Sequence, residues 1–317
     1  MITKPFYYII GCCILFSLAS CKEFIEPSIA KRIVQLQAPG DKYQSANYTV
    51  NFWWDEVEDA TQYRLQVVTP QFDTIGALIA DTVVKQNKFA FNFVPGEYQW
   101  RVRAENGSTQ TDYSAAKRFT VVASSIKQQT IQLGSPSDNL LTNQSSVSFK
   151  WSSLYGATKY HIQIDTSNFS NPANLTYELT VPGLQFTYFF PRDQQYQWRV
   201  RAENDTAQSQ WSAIRLVNYD HTPPGQVSLT LPLNDVTVAS PVTLQWNAVP
   251  GTSRYKLYVF KSDFTTAYNP TFPVTVTTNS YNFNLGTPGE RVYWQVRAID
   301  AAGNEGQSSV LRSFVVQ

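Results

Sequence analysis

Cysteine is missing from all but the first 21 residues of this 317-residue chain: Cys12, Cys13 and Cys21 are the only three. Everything downstream of Cys21 therefore has no disulfide, no thiol nucleophile and no cysteine-based metal site, and must be held together by packing. Histidine is almost as scarce, with only His161 and His221. They stand in non-equivalent surroundings, "YHIQID" and "DHTPPG", which argues against paired metal ligation and against a Ser–His–Asp arrangement. Charged residues make up 15% of the chain, 25 Lys and Arg against 24 Asp and Glu. The basic ones form no stripe, so nucleic acid is not an expected partner. No segment after Cys21 carries a sustained helical period, and the one long apolar run, from Pro5 to Leu18, is short of the roughly 20 residues that a bilayer-spanning helix needs.

The start of the chain, "MITKPFYYIIGCCILFSLASC", has the layout of a secretory signal: a basic Lys4, an apolar middle and small residues at the end. Its last four residues, Leu18 to Cys21, resemble the lipobox of bacterial lipoproteins. That resemblance implies removal of residues 1–20 and a lipid on Cys21, through which the membrane becomes a partner. An ordinary cleaved signal and a retained anchor are the alternatives. A second match, "IIGC" at 9–12, has too few apolar residues before it. Losing Lys4 with the signal leaves basic and acidic residues equal in number. Lys22 and Glu23 resemble the stretch that marks surface export in some Gram-negative groups. The expected location is the outer membrane, lipid-anchored, and surface-exposed rather than periplasm-facing.

What the chain has in quantity is aromatic residues in a repeated frame. "WRVRAEN" at 100–106 returns letter for letter at 198–204, and as "WQVRAID" at 294–300. Trp54, Trp151 and Trp246 are 97 and 95 residues apart; Trp100, Trp198 and Trp294 are 98 and 96 apart. A Tyr follows the first Trp of each copy by nine positions (Tyr63, Tyr160, Tyr255), and a Phe by eighteen (Phe72, Phe169, Phe264). Upstream, "VQLQAP", "IQLGSP" and "VSLTLP" end on Pro39, Pro136 and Pro232. A catalytic motif would not carry its whole surroundings with it, whereas a module would.

Within each copy, apolar residues alternate, as in half-buried strands. Val50, Phe52 and Trp54 share a face, as do Val147, Phe149 and Trp151, then Val242, Leu244 and Trp246. Phe89, Phe91 and Phe93 repeat as Phe186, Tyr188 and Phe190. "YQWRVRA" places Tyr98, Trp100, Val102 and Ala104 inward and Arg101 and Arg103 outward, solvated or stacked on aromatics. Short strands between Pro, Gly, Asn and Asp clusters predict an all-β chain of three tandem two-sheet sandwiches.

"PGEYQWRVRAENGSTQTDYSAAKRFTV" (95–121) resembles the last two strands of a fibronectin type III domain. Residues 195–217 repeat the pattern, and residues 291–316 follow it with one departure. The resemblance implies three immunoglobulin-like sandwiches at 33–123, 129–220 and 223–317, after a signal at 1–20 and a lipidated tether at 21–32. It also implies a tyrosine corner at Tyr98 and Tyr196; the third copy has Val292 there. The resemblance speaks to fold and little to function, because such sandwiches host many roles.

No catalytic residue, cofactor or metal is expected. Glu105 and Glu203 fill one slot in two copies, which marks structure rather than a carboxylate pair. "DAAGNEG" (300–306) lacks the oxygen spacing of a calcium loop and reads as a tight turn. His161 is expected to face solvent. Trp211, where the first copy has Tyr113, is placed to lie across Arg199 and Arg201. Trp53 is forced outward beside the inward Trp54, where the other copies have Lys150 and Gln245. Its candidate partners are the segment between Lys22 and Arg32, another protein, or a sugar, with incidental exposure as the remaining alternative. Trp53 and Trp211 are thus the possible contact surface. The function expected is a non-catalytic, lipid-anchored envelope protein serving as a binding or spacer module for protein partners. The alternative is a glycan-binding surface lipoprotein of a polysaccharide uptake system.

Overall fold

The computed structural model describes residues 26–317. The signal-like segment, Cys21 and residues 22–25 lie outside the described residues.

The alternating segments become strands, in three sets of two sheets. The first set comprises β1 (Leu36–Ala38), β2 (Tyr43–Ser45), β3 (Thr49–Trp54), β4 (Gln62–Gln71), β5 (Thr74–Val84), β6 (Lys88–Asn92), β7 (Gly96–Glu105) and β8 (Lys117–Val121). The second comprises β9 (Leu140–Thr142), β10 (Ser146–Lys150), β11 (Lys159–Asp165), β12 (Tyr177–Val181), β13 (Gln185–Phe189), β14 (Gln194–Glu203) and β15 (Arg215–Tyr219). The third comprises β16 (Leu229–Leu231), β17 (Val236–Val238), β18 (Val242–Trp246), β19 (Thr252–Phe260), β20 (Val274–Val276), β21 (Ser280–Phe283), β22 (Arg291–Asp300) and β23 (Arg312–Val316).

One strand order recurs in all three. The larger sheets run β2-β8-β7-β4-β5, β9-β15-β14-β11-β12 and β17-β23-β22-β19-β20. The smaller sheets are β1-β3-β6, β10-β13 and β16-β18-β21, and in the second an isolated bridge, Leu133 to Trp151, stands where the others have a short first strand. The chain is therefore all-β, built of immunoglobulin-like two-sheet sandwiches.

By packing, the chain divides into two compact units. One holds the described part of Met1–Tyr43 with Asn51–Ala90 and Glu97–Thr120; the other holds Gln44–Val50, Phe91–Gly96 and Val121–Gln317.

In the first unit, Phe52 meets the Trp100 ring edge-on at 5.0 Å and Phe119 at 5.7 Å, while Trp54 meets Tyr63 at 5.5 Å. In the second, Phe149 packs on Trp198 at 4.8 Å, and Trp246 lies between Tyr255 and Trp294. Such edge-to-face contacts add about 0.5–1.5 kcal/mol each beyond area burial. The six core tryptophans bury their indole N–H groups without a hydrogen-bond partner among the described residues. Their bulk, not their polarity, is what the cores use.

Two expectations change here. Residues 26–32 are not a free tether, because Ile29 is fully buried and the segment is hydrogen-bonded to the loop between β7 and β8. The third corner also finds another tyrosine. In the second set Tyr196 Oη donates to Arg192 O at 2.9 Å, closing a tyrosine corner. Val292 cannot do this, and Tyr268 Oη instead donates to Glu290 Oε2 at 3.0 Å; Glu290 also accepts from Thr287 N. Burial, and then that carboxylate, push the Tyr268 phenol up to about 12.

Candidate functional site

Alternation along β3 buries Val50, Phe52 and Trp54 and turns Asn51 and Trp53 outward. Trp53 is 50% exposed. Its neighbour across the β1 side is Ala38, and β6 lies on the other side of β3. Ala38, Asn51, Phe52, Trp53, Lys88, Phe89 and Ala90 line a groove of about 710 Å³. Ala38 flanks the indole on the β1 side, and Lys88, Phe89 and Ala90 of β6 complete the groove. Most of its wall is carbon, with the Asn51 amide and the Lys88 ammonium as its polar groups. The corresponding positions of the other sets carry Lys150, opposite Gln185, and Gln245, opposite Leu231 and Ser280. Neither offers an aromatic surface.

The described part of the N-terminal segment does not cover Trp53. It runs instead to the β7–β8 loop, where Asn106 Nδ2 donates to Pro27 O at 2.9 Å and Ile29 N donates to Thr109 Oγ1 at 2.9 Å. Arg32 pairs with Glu58 and Asp59 at 2.8 and 2.7 Å. Of the three partners considered for Trp53, the internal one fails over residues 26–32.

Trp211 belongs to a different construction. On β14, Arg199 lies between the Phe169 ring at 4.1 Å and the Trp211 ring at 4.3 Å, while Arg201 sits over Trp211 at 4.6 Å. Gln163 Oε1 accepts two hydrogen bonds from Arg199, at 3.0 and 2.8 Å. Burial, then the Arg201 charge, hold the Arg199 guanidinium below its ordinary value. The first unit has the same layering: Arg101 between Phe72 and Tyr113, at 4.1 and 4.2 Å, with Gln66 as acceptor. The third copy has Gln295 in that place, and Phe264 is left 57% exposed. Trp211 is thus a lid on an arginine that braces the sheet.

Phe169 reaches Arg199 because Asp165 organises the loop that carries it. Asp165 accepts from Ser167 N, Ser167 Oγ and Phe169 N at 3.1, 2.8 and 2.8 Å, and Asn168 and Phe169 have φ of 59° and 56°. Burial opposes ionisation of this carboxyl, but the hydrogen bonds outweigh it and hold it below the usual range.

His161 does not face open water as expected. Its side chain is 17% exposed, with Nε2 3.0 Å from Glu178 Oε2 and Nδ1 3.4 Å from Glu203 Oε1. Trp211 approaches its ring at 5.6 Å. Hydrogen bonding from Gln163, and after it from His161, holds Glu178 below the usual carboxylate range. His161 stands where the first set has Arg64, which pairs with Asp81 at 2.7 Å, so the ring takes the place of a guanidinium beside a cross-strand carboxylate. His221 is exposed in the connector and meets Asn143 O at 3.2 Å through Nδ1.

The 300–306 loop is a turn closed on itself. Asp300 Oδ1 accepts from Gly303 N at 2.7 Å and Asn304 N at 2.8 Å, and Gly303 takes a φ of +95°. Among the described residues, no group of three or more His, Cys, Asp or Glu is placed to hold a metal. Cys21 lies outside the described residues.

Sequence pattern alone singled out Trp53 but not its setting. Ala38, Ala90 and Lys88 come from neighbouring strands, and only the pairing of β1 and β6 with β3 brings them to the indole.

No family model matches the chain, and no curated protein matches it. Among solved structures, it is similar to "Crystal structure of chicken CNTN1 FN1-FN3 domains", at 16% identity and a TM-score of 0.39, over 90% of this chain and 97% of that one. At that identity and score, the likeness bears on nothing that this chain binds.

Proposed function

We propose that this chain is a non-catalytic, lipid-anchored protein of the bacterial cell envelope, held by Cys21 in the outer membrane and displayed at the surface. Its sandwiches serve as a binding or spacer module, and the first carries the contact surface for a protein partner. The observation that supports the reading is Trp53, half exposed in an apolar groove with no counterpart in the other two sandwiches. Tryptophan is over-represented among the residues that dominate binding energy, and these sit in pockets a partner can desolvate. Replacing Cys21 by Ala is expected to abolish lipid labelling and move the protein from the membrane to the soluble fraction. Labelling that survives the change contradicts the anchor.

A second reading is favoured by the rim of the same groove. An indole face flanked by the Asn51 amide and the Lys88 ammonium suits a sugar ring, with its C–H face on the indole and its hydroxyls on the two polar groups. Under this reading, the protein is a glycan-binding lipoprotein of a polysaccharide uptake system. Electrophoresis of the mature chain through gels containing soluble polysaccharides separates the two. Retardation that disappears in Trp53→Ala supports the glycan, and unretarded migration in every gel leaves the protein partner.

A further inference from the structure

The contacts of residues 26–32 fix where the N-terminal segment meets the first sandwich. Glu26 holds the β7–β8 loop through its carboxylate, which accepts from Gly107 N, and through its carbonyl, which accepts from Ser108 Oγ at 3.1 Å. Pro27 and Ile29 continue the contact to Asn106 and Thr109. The other two sandwiches receive their incoming chain at the same loop. Gln210 donates to Gln129 O at 2.9 Å and to Lys127 O at 2.8 Å. Asn304 donates to Asp220 O at 2.8 Å, and Gln226 to Ser308 O at 2.6 Å. Ile29 and Val34 recur as Ile126 and Ile131 at the same five-residue spacing, all four buried. Glu26–Arg32 is therefore the connector end of the first module. In the second and third modules that connector leads back to a preceding sandwich; in the first it leads to Cys21.

We propose that this end of the first sandwich, formed by residues 26–29, 56–59 and 106–109, lies directly against the surface of the membrane that carries the protein. The inference rests on lipidation of Cys21 and adds the orientation that follows from it. From Cys21 to Glu26 is five residue steps, and an extended chain covers at most about 3.6 Å per step, so the docked segment begins within about 18 Å of the lipidated residue. This is less than the length of the sandwich itself. β4 runs from Gln62, opposite Glu105, to Gln71, next to the turn into β5. Its ten residues place that turn about 30 Å from the docked end.

The chemistry of the end suits contact without insertion. Glu26, Glu56, Glu58 and Asp59 outnumber Lys31 and Arg32, and Arg32 is already paired with Glu58 and Asp59. The end is net acidic and does not favour anionic headgroups. A short tether, not surface charge, sets the apposition.

The test uses the lipidated full chain in phosphatidylcholine vesicles that carry a short-range quencher on their headgroups. Removal of the signal leaves Cys21 as the sole cysteine, blocked by lipid, so an introduced cysteine is a unique labelling site. Glu56→Cys marks the docked end and Asp73→Cys the β4–β5 turn; both side chains are exposed and make no hydrogen bond among the described residues. The expected result is strong quenching of the dye at 56 and little at 73. A flexible spacer of about 20 Gly and Ser residues between Ile25 and Glu26, with a mean reach of about 25 Å, is expected to remove the difference. Equal quenching at the two sites, or quenching at 56 that survives the spacer, overturns the orientation while leaving the anchor intact. Quenching at 56 that needs anionic phospholipid also overturns it, since charge rather than tether length would then be the cause. A chain that does not float with the vesicles refutes the anchor, and the orientation with it.

Discussion

β3 and β18 make the same inward choices and different outward ones. Inward stand Val50, Phe52 and Trp54 in one, and Val242, Leu244 and Trp246 in the other, all buried. Outward, next to the final Trp, stands Trp53 in one and Gln245 in the other. What recurs is what two facing sheets need in order to close; what departs is free to meet something else. Being outward is not by itself the mark of use. The Arg199 layering also faces outward, yet it recurs around Arg101 and is accounted for within each sandwich. Trp53 has neither a counterpart nor a cover over residues 26–317.

Substitutions can break this comparison, and the largest effect is expected in the core. Trp246→Ala should cost about 3–5 kcal/mol, measured by denaturant unfolding of the whole chain with a probe in the third sandwich. Trp246→Phe should cost clearly less, because Phe keeps an aromatic ring in the site and the lost N–H has no acceptor to leave behind. Equal costs would contradict the view that aromatic bulk is what this core uses.

Asp165→Asn comes next, at about 1–3 kcal/mol, the scale of hydrogen bonds to a buried charged group. Because Asp165 is ionised more easily folded than unfolded, its contribution is complete above the ordinary carboxylate range and is lost as pH falls through the lower folded value. The wild-type second sandwich should therefore lose stability at acidic pH more steeply than the Asn variant. Parallel acid profiles would remove Asp165 from its role in the loop.

Trp211→Ala is expected to cost about 0.5–2 kcal/mol by uncovering Arg199, and Trp211→Tyr little, since Tyr113 does the same work in the first unit. An Ala variant as stable as wild type would make Trp211 a free aromatic and reopen it as a contact residue. Trp53→Ala should change stability least, within about 0.5 kcal/mol.

Much of the fold was legible because its signals are local and threefold. A Trp pair spaced like Trp54 and Trp100, recurring at nearly even intervals, fixes the modules, and alternation in "YQWRVRA" fixes which side chains enter the core. What stayed illegible depends on pairing between distant strands. His161 reads as solvent-facing from β11 alone; Glu178 on β12, Glu203 on β14 and the Trp211 ring enclose it only when the sheet assembles. Residues 26–32 read as a tether because "EPSIAKR" is short, polar and without alternation. The usable signal was the Ile29–Val34 pair recurring as Ile126 and Ile131. The Tyr268–Glu290 bond joins residues 22 apart and replaces a corner whose absence, at Val292, was visible. The Trp53 groove was half legible: its indole follows from parity along β3, its walls from β1 and β6 neighbours that parity does not name.

The most direct measurement places a photo-activated cross-linker at position 88, beside Trp53, and another at position 150, on the matching face of the second sandwich, in cells that display the lipidated protein. The expected result is a discrete envelope adduct from position 88, none from 150, and loss of that adduct in Trp53→Ala at unchanged stability and membrane localisation. An adduct that persists in Trp53→Ala, or the same products from both positions, would contradict the claim that the Trp53 face is the surface this protein uses.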